Sequence, residues 1–189
     1  PQAADRVTPY LKDTDVEVRR EAVTALVRLG GLNSLDPLVQ ATKDSDEEIQ
    51  IRATDGLVNF YLPGYIEFGL TASLKRAGSS LKGKFTDTND RIIPPYVQVR
   101  EDVVRAIGAV ARGGISDQSR ANAARAVGVL RGRAALPDLA EALKSKKTPV
   151  IYESLVAIQK IGDPAAAGSF AFLLRDPDEK VQITAIETT

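Results

Sequence analysis

The segment Gly78-Ser79-Ser80-Leu81-Lys82-Gly83-Lys84 has the glycine-to-lysine spacing of a phosphate-cradling loop, and Asp87-Thr88-Asn89-Asp90 beside it groups oxygen donors of the kind calcium takes. Neither completes its chemistry. A phosphate loop needs a buried strand before it and a hydroxyl after the lysine to hold Mg²⁺; here Leu70 to Ala77 reads as helix and Phe85 stands at the hydroxyl position. The aspartate cluster lacks the central glycine and distant glutamate of an EF-hand loop, so it reads as turn chemistry. Among the 189 residues there is no His, Cys, Met or Trp. Imidazole and thiolate metal ligation, thiol nucleophiles, disulfides and histidine general bases are thereby excluded. Asp, Glu, Lys, Tyr and Ser remain, and none forms a recognisable nucleophile–base pair. The expectation is a non-catalytic chain with no cofactor.

Other aspartates recur with a different meaning. Leu11-Lys12-Asp13-Thr14-Asp15, Thr42-Lys43-Asp44-Ser45-Asp46 and Leu174-Arg175-Asp176-Pro177-Asp178 each lead to a β-branched residue three positions on, at Val18, Ile49 and Val181. The offset from Val18 to Ile49, stepped back from Val181, gives Val150 and then Ser119, so one register runs through both halves of the chain. From these anchors apolar or small residues recur in steps of four, four and three, as in Val18, Ala22, Leu26 and Leu29 or Val150, Ser154, Ile158 and Ile161. That spacing makes one stripe of an α-helix. Asp15, Asp46 and Asp178 fall where an N-cap is needed, and Gly or Pro closes each helix at Gly30-Gly31, Pro63-Gly64, Gly132 and Gly162-Asp163-Pro164. Shorter apolar helices follow over 35–41, 134–143 and 165–174. The pattern predicts an all-α solenoid of stacked antiparallel helical hairpins with a 31-residue period, a single domain spanning 1–189.

These residues resemble the HEAT repeats, and within them the short bacterial kind associated with phycobilin lyases. The likeness rests on Leu11 to Ala22, on Ile161-Gly162-Asp163-Pro164 and on Leu136-Pro137-Asp138-Leu139, and covers most of the chain outside roughly 63–112. It implies the solenoid fold and, for the narrower group, an accessory role in chromophore attachment. The family's Arg after the β-branched residue stands at Arg19 and Arg120, but Gln50, Ile151 and Gln182 replace it elsewhere, so no continuous Asp–Arg ladder is expected.

Between Ile49 and Ser119 the register breaks, for their separation is not a whole number of periods. The reading there is a helix over 46–61, a second helix over 65–77, a loop over 78–95 and a helix over 96–112. The tight turn Gly113-Gly114-Ile115-Ser116 makes that last helix antiparallel to its successor, which assigns it to the second-helix layer and leaves a first helix missing near 80–88. The alternative takes Val99-Arg100 as a further first-helix match and drops a second helix instead. The irregular insert, about 63–95, crowds Phe60, Tyr61, Tyr65 and Phe68 beside Lys75, Arg76, Lys82 and Lys84. These rings form either a binding platform or, with Phe85, the cover over a missing helix.

Zero net charge hides an uneven distribution. Residues 1–70 hold 7 basic and 12 acidic side chains, 71–147 hold 15 and 7, and 148–189 hold 3 and 6. Part of the basic centre is a departure from the repeat, because Ser145 and Lys147, with Lys146 between them, replace the paired aspartates and Lys144 precedes them. Solenoid turns line one edge, and the loop beginning near Gly78 is expected on the edge of these lysines, with Arg131 and Arg133 opposite. The expected function is a protein-interaction scaffold, with Lys82, Lys84, Phe85, Lys144, Lys146, Lys147, Tyr61 and Tyr65 as candidate contacts for an acidic protein. The alternative is nucleic-acid or other polyanion binding through the basic centre. No run approaches the roughly 18 apolar residues of a membrane span. No targeting signal is legible, so the cytoplasm is the default compartment. Pro1 in place of Met predicts a processed or trimmed chain, and an end inside an amphipathic helix predicts further chain or a packing partner there.

Overall fold

The computed structural model describes residues 2–66 and 91–189. Helix α1 (Gln2–Val7) runs into a 3₁₀ turn (Thr8–Lys12). Then come α2 (Val16–Leu29), α3 (Leu35–Ala41) and α4 (Glu47–Tyr61). Beyond the insertion lie α5 (Glu101–Gly113), α6 (Asp117–Val129), α7 (Leu136–Ala142) and α8 (Thr148–Ile161). Two 3₁₀ segments (Pro164–Ser169 and Ala171–Arg175) precede α9 (Glu179–Glu187). The described residues form no strand.

Helices α2, α4, α6, α8 and α9 pack in succession as one layer, and α3, α5 and α7 pack in succession as the other. The apolar stripes read from the repeat register meet between the layers: Val23, Leu26, Leu57, Ile107, Ala123, Leu139 and Leu155 are fully buried in one continuous core. Burial of such stripes against neighbouring repeats, more than helix propensity, holds helices this short. Helices α6 and α8 approach closely at Gly128, where a side-chain carbon would lie 2.8 Å from the Ala157 Cα.

The second-layer place of the helix before Gly113 agrees with the parity argument. The missing first helix does not, because α4 packs directly on α6 and leaves no empty place between them. The stretch from Ile49 to Ser119 is therefore one step of the repeat, with the insertion lying between the two helices of a single hairpin, α4 and α5. Two boundaries also differ. Helix α5 starts at Glu101 and not near Tyr96, since Pro94-Pro95 and the β-branched Val97 and Val99 favour extended backbone, and the Arg100 N–H is taken by the Tyr61 hydroxyl at 3.3 Å. The helix expected over 165–174 is two 3₁₀ turns broken around Gly168-Ser169-Phe170; Ser169 Oγ donates to the Ala166 carbonyl at 2.6 Å, and the Phe170 ring fills the core. Residues 67–77 of the helix expected over 65–77 lie outside the described residues, and Tyr65 and Ile66 are not helical.

Candidate functional site

The paired aspartates divide one task. The first of each pair folds the turn by accepting the N–H of the second: Asp13 from Asp15 at 2.8 Å, Asp44 from Asp46 at 2.9 Å and Asp176 from Asp178 at 2.9 Å. The second caps the helix that follows, accepting from Glu17, from Ile49, and from Lys180 and Val181. In the first step of the solenoid the pair also binds the preceding helix. Arg19 reaches both Asp44 oxygens, at 2.9 and 3.2 Å, and Arg20 reaches both Asp46 oxygens, at 3.0 and 2.7 Å. The Arg20 hydrogen bonds hold the Asp46 carboxyl below the usual carboxylate range.

The ladder stops there, as the substitutions predicted, and its replacement has a physical logic. The next turn, Gly114-Ile115-Ser116, offers a backbone N–H where Asp44 offered oxygens. Gln50 accepts that Ile115 N–H at 3.0 Å through Oε1 and donates to the Asp44 carbonyl through Nε2. An arginine has no acceptor and could not do both.

At residues 144–147 the turn inverts its charge. Ser145 Oγ still accepts the Lys147 N–H at 3.2 Å, but Lys147 stands at the N-cap of α8 and gives no side-chain cap. Lys144, Lys146 and Lys147 are exposed. Lys144 pairs with Glu141 at 2.7 Å and Lys147 with Asp117 at 3.1 Å, while Lys146 makes no ion pair among the described residues. Of the other candidate contacts, Tyr61 meets Phe60 edge to face at 5.0 Å between ring centres, and its hydroxyl accepts from Arg100. Burial of the Tyr65 phenol, aided by the charge of Asp55, pushes its pKa well up. Lys82, Lys84 and Phe85 lie outside the described residues. Both described ends of the insertion sit on the edge formed by the ends of α4 and α6, where Ile93 N–H donates to the Val129 carbonyl at 2.9 Å. This corrects the expected placement as far as the described residues go: those ends lie opposite Lys144 to Lys147, and residue 78 is outside them.

Two features escaped the sequence reading. The first is a ladder on the face of the α2-α4-α6-α8 layer, with Arg52 donating to Thr24, Asn122 to Asp55 at 2.9 Å, and Arg125 to both oxygens of Glu153 at 3.2 and 2.8 Å. The Arg125 and Glu153 side chains are only 10% and 4% exposed. Burial opposes the Arg125 charge, but Glu153 outweighs it and raises the guanidinium's pKa. These residues were readable as polar positions in the register, but nothing in the sequence said they were covered.

The second is a groove of about 800 Å³ between the returning segment 93–99 and the turns that end α6 and α8. Arg131 on its rim has φ +48°, a left-handed conformation that costs a non-glycine residue about 1 kcal/mol. The register places Arg131 where Gly30 and Gly162, at φ +60° and +65°, close the turns after α2 and α8. That substitution was visible in the sequence and is the signal that could have found the groove. Among the described residues no group of three or more Asp or Glu is placed to hold a metal, and no helix is long and apolar enough to cross a membrane.

A sequence model of the HEAT repeats matches residues 1–67 and 104–188. Among solved structures, human deoxyhypusine hydroxylase in complex with glycerol is 17% identical, with 100% of this chain and 83% of that one covered at a TM-score of 0.45. A designed armadillo repeat protein in complex with the peptide (KR)4 is 20% identical, with 99% of this chain and 80% of that one covered at a TM-score of 0.45. Computationally designed armadillo repeat proteins for modular peptide recognition are 18% identical, with coverages of 99% and 81% and a TM-score of 0.44. No curated protein sequence matches.

Proposed function

The chain belongs to the HEAT-repeat family, and from that premise we propose that it is a non-catalytic scaffold holding an acidic partner protein through the turn at 144–147. Stacked hairpins bury residues against their neighbours and leave long surfaces for other chains. The observation that carries the reading is the turn itself, where three exposed lysines replace a carboxylate cap and Lys146 projects without an ion pair among the described residues. The non-catalytic reading is supported by the work the other carboxylates already do, since Asp13, Asp15, Asp44, Asp46, Asp176 and Asp178 all fold turns or cap helices.

Crosslinking mass spectrometry of the native complex would identify the partner. Calorimetric titration of that partner would then compare the chain with a variant in which Lys144, Lys146 and Lys147 are all Glu. The expected result is a loss of affinity of about tenfold or more with unchanged helicity by circular dichroism; equal affinity would remove this turn from the interface. The surplus of basic residues over 71–147 favours a second reading, polyanion binding. Titration with duplex DNA at two salt concentrations separates the two, since steep salt dependence is the signature of counterion release. The narrower likeness to phycobilin-lyase repeats rests on Leu11 to Ala22 and calls for a phycobiliprotein partner, which the same crosslinking would reveal.

A further inference from the structure

We propose that the groove beside Arg131 binds an extended segment of another protein in which apolar residues stand next to carboxylates. The inference rests on the scaffold reading but concerns the opposite edge from the lysine turn. The side chains beneath the groove are apolar, with Ile93, Val104, Leu130 and Ile161 mostly covered and Val97 part-exposed. Pro94 and Pro95 line its lip and stiffen it. A rigid lip of this kind presents apolar surface with little side-chain or backbone freedom left to lose on binding.

The rim supplies the charge preference. Arg131 and Arg133 are both exposed on it. Arg131 Nε donates to the Lys160 carbonyl at 3.0 Å, which fixes the guanidinium at the mouth and leaves its terminal nitrogens without a hydrogen bond or ion pair among the described residues. Arg133 is anchored more loosely, 3.4 Å from Asp163. Glu101, also among the lining residues, is taken up by Arg105. One fixed guanidinium, Arg131, and a second, looser one at Arg133 match a carboxylate next to apolar side chains, and their planar donors recognise carboxylates in pairs.

The backbone points to an extended occupant. The N–H groups of Gln98 and Val99 make no hydrogen bond among the described residues, and Val97 and Val99 pack inward while Gln98 faces out. An extended chain laid along one side would find one of these two backbone donors, since adjacent N–H groups point to opposite sides, and apolar side chains at alternate positions. The strained backbone of Arg131 fits this reading. Glycine closes the turns after α2 and α8 without strain, and arginine at this one puts a cation on the rim.

The test uses the full chain and a random dodecapeptide phage library, panned on the chain and counter-panned on the double variant Arg131→Gly, Arg133→Ser. Arg131→Gly removes the guanidinium and relieves the left-handed backbone, so the variant is expected to keep its fold, which its thermal midpoint checks. The expected enrichment is for Asp or Glu beside apolar residues, and a labelled synthetic copy should lose about tenfold or more in affinity on the double variant. Enrichment for basic peptides, or no peptide that distinguishes the two proteins, overturns the proposal. Peptides lost when Lys144, Lys146 and Lys147 become Glu, but unaffected by the double variant, would overturn the groove and leave the scaffold reading standing.

Discussion

The step from α2 to α4 and the step from α6 to α8 join equivalent helices of the same repeat by different means. The first is fastened at the turn, where Arg19 and Arg20 grip the aspartates of the next unit. The second is fastened on the helix face, through the buried Arg125–Glu153 pair and the close approach at Gly128, while its turn is handed over to lysines. Polar fastening has moved from the edge to the face where the edge acquires another charge. The first step also carries a face tie, Arg52 to Thr24, and the second a turn pair, Lys147 with Asp117, so the two differ in which tie is the more buried.

The sharpest way to break this comparison is Glu153→Ala. Removing one member of a buried pair strands the other, so a loss of about 3 kcal/mol is expected in urea unfolding. Asp46→Ala should cost less, about 1 to 2 kcal/mol, because it removes a cap and a partly exposed tie. If Asp46→Ala proved the more damaging, the C-terminal step would not depend on its face. In the other direction, Lys147→Ser restores a cap to α8 and should raise stability by about 0.5 to 1 kcal/mol, the exposed Asp117 pair contributing little. No gain would mean that the lysine turn carries no cost to stability.

The smallest effect is a pH dependence. Arg20 lowers the Asp46 pKa, and the Thr148 hydroxyl, donating to Asp178 at 2.9 Å, lowers that of Asp178. In both cases the unfolded chain binds the proton more readily than the folded one. The stability they supply is present above the ordinary carboxylate range and is lost as pH falls through the lowered values. Unfolding midpoints of the unaltered chain and of Asp46→Asn should therefore converge as the pH drops from about 5 towards 2. Parallel curves would show that Asp46 titrates no differently in the two states.

The capping aspartates, the stripes and the layer parity were legible because they depend on spacing within one helix or one turn. The 165–174 segment misled because its apolar pattern was helical while Gly168 and the Ser169 hydroxyl acted against a continuous helix. The supposed missing helix misled for a different reason. Counting residues along a chain cannot tell a lost helix from a lengthened hairpin loop, because both add length between the same two anchors.

The sequence by itself determined the aspartate-capped helices, the repeat period and the inverted charge of the turn at 144–147, since each is written in local patterns of neighbouring residues. Only the tertiary structure decided that α4 meets α6, that Glu153 is covered, and that residues 93–99 form a groove against Leu130 and Ile161. Those facts depend on contacts between side chains far apart in the chain, which no local pattern of neighbouring residues records.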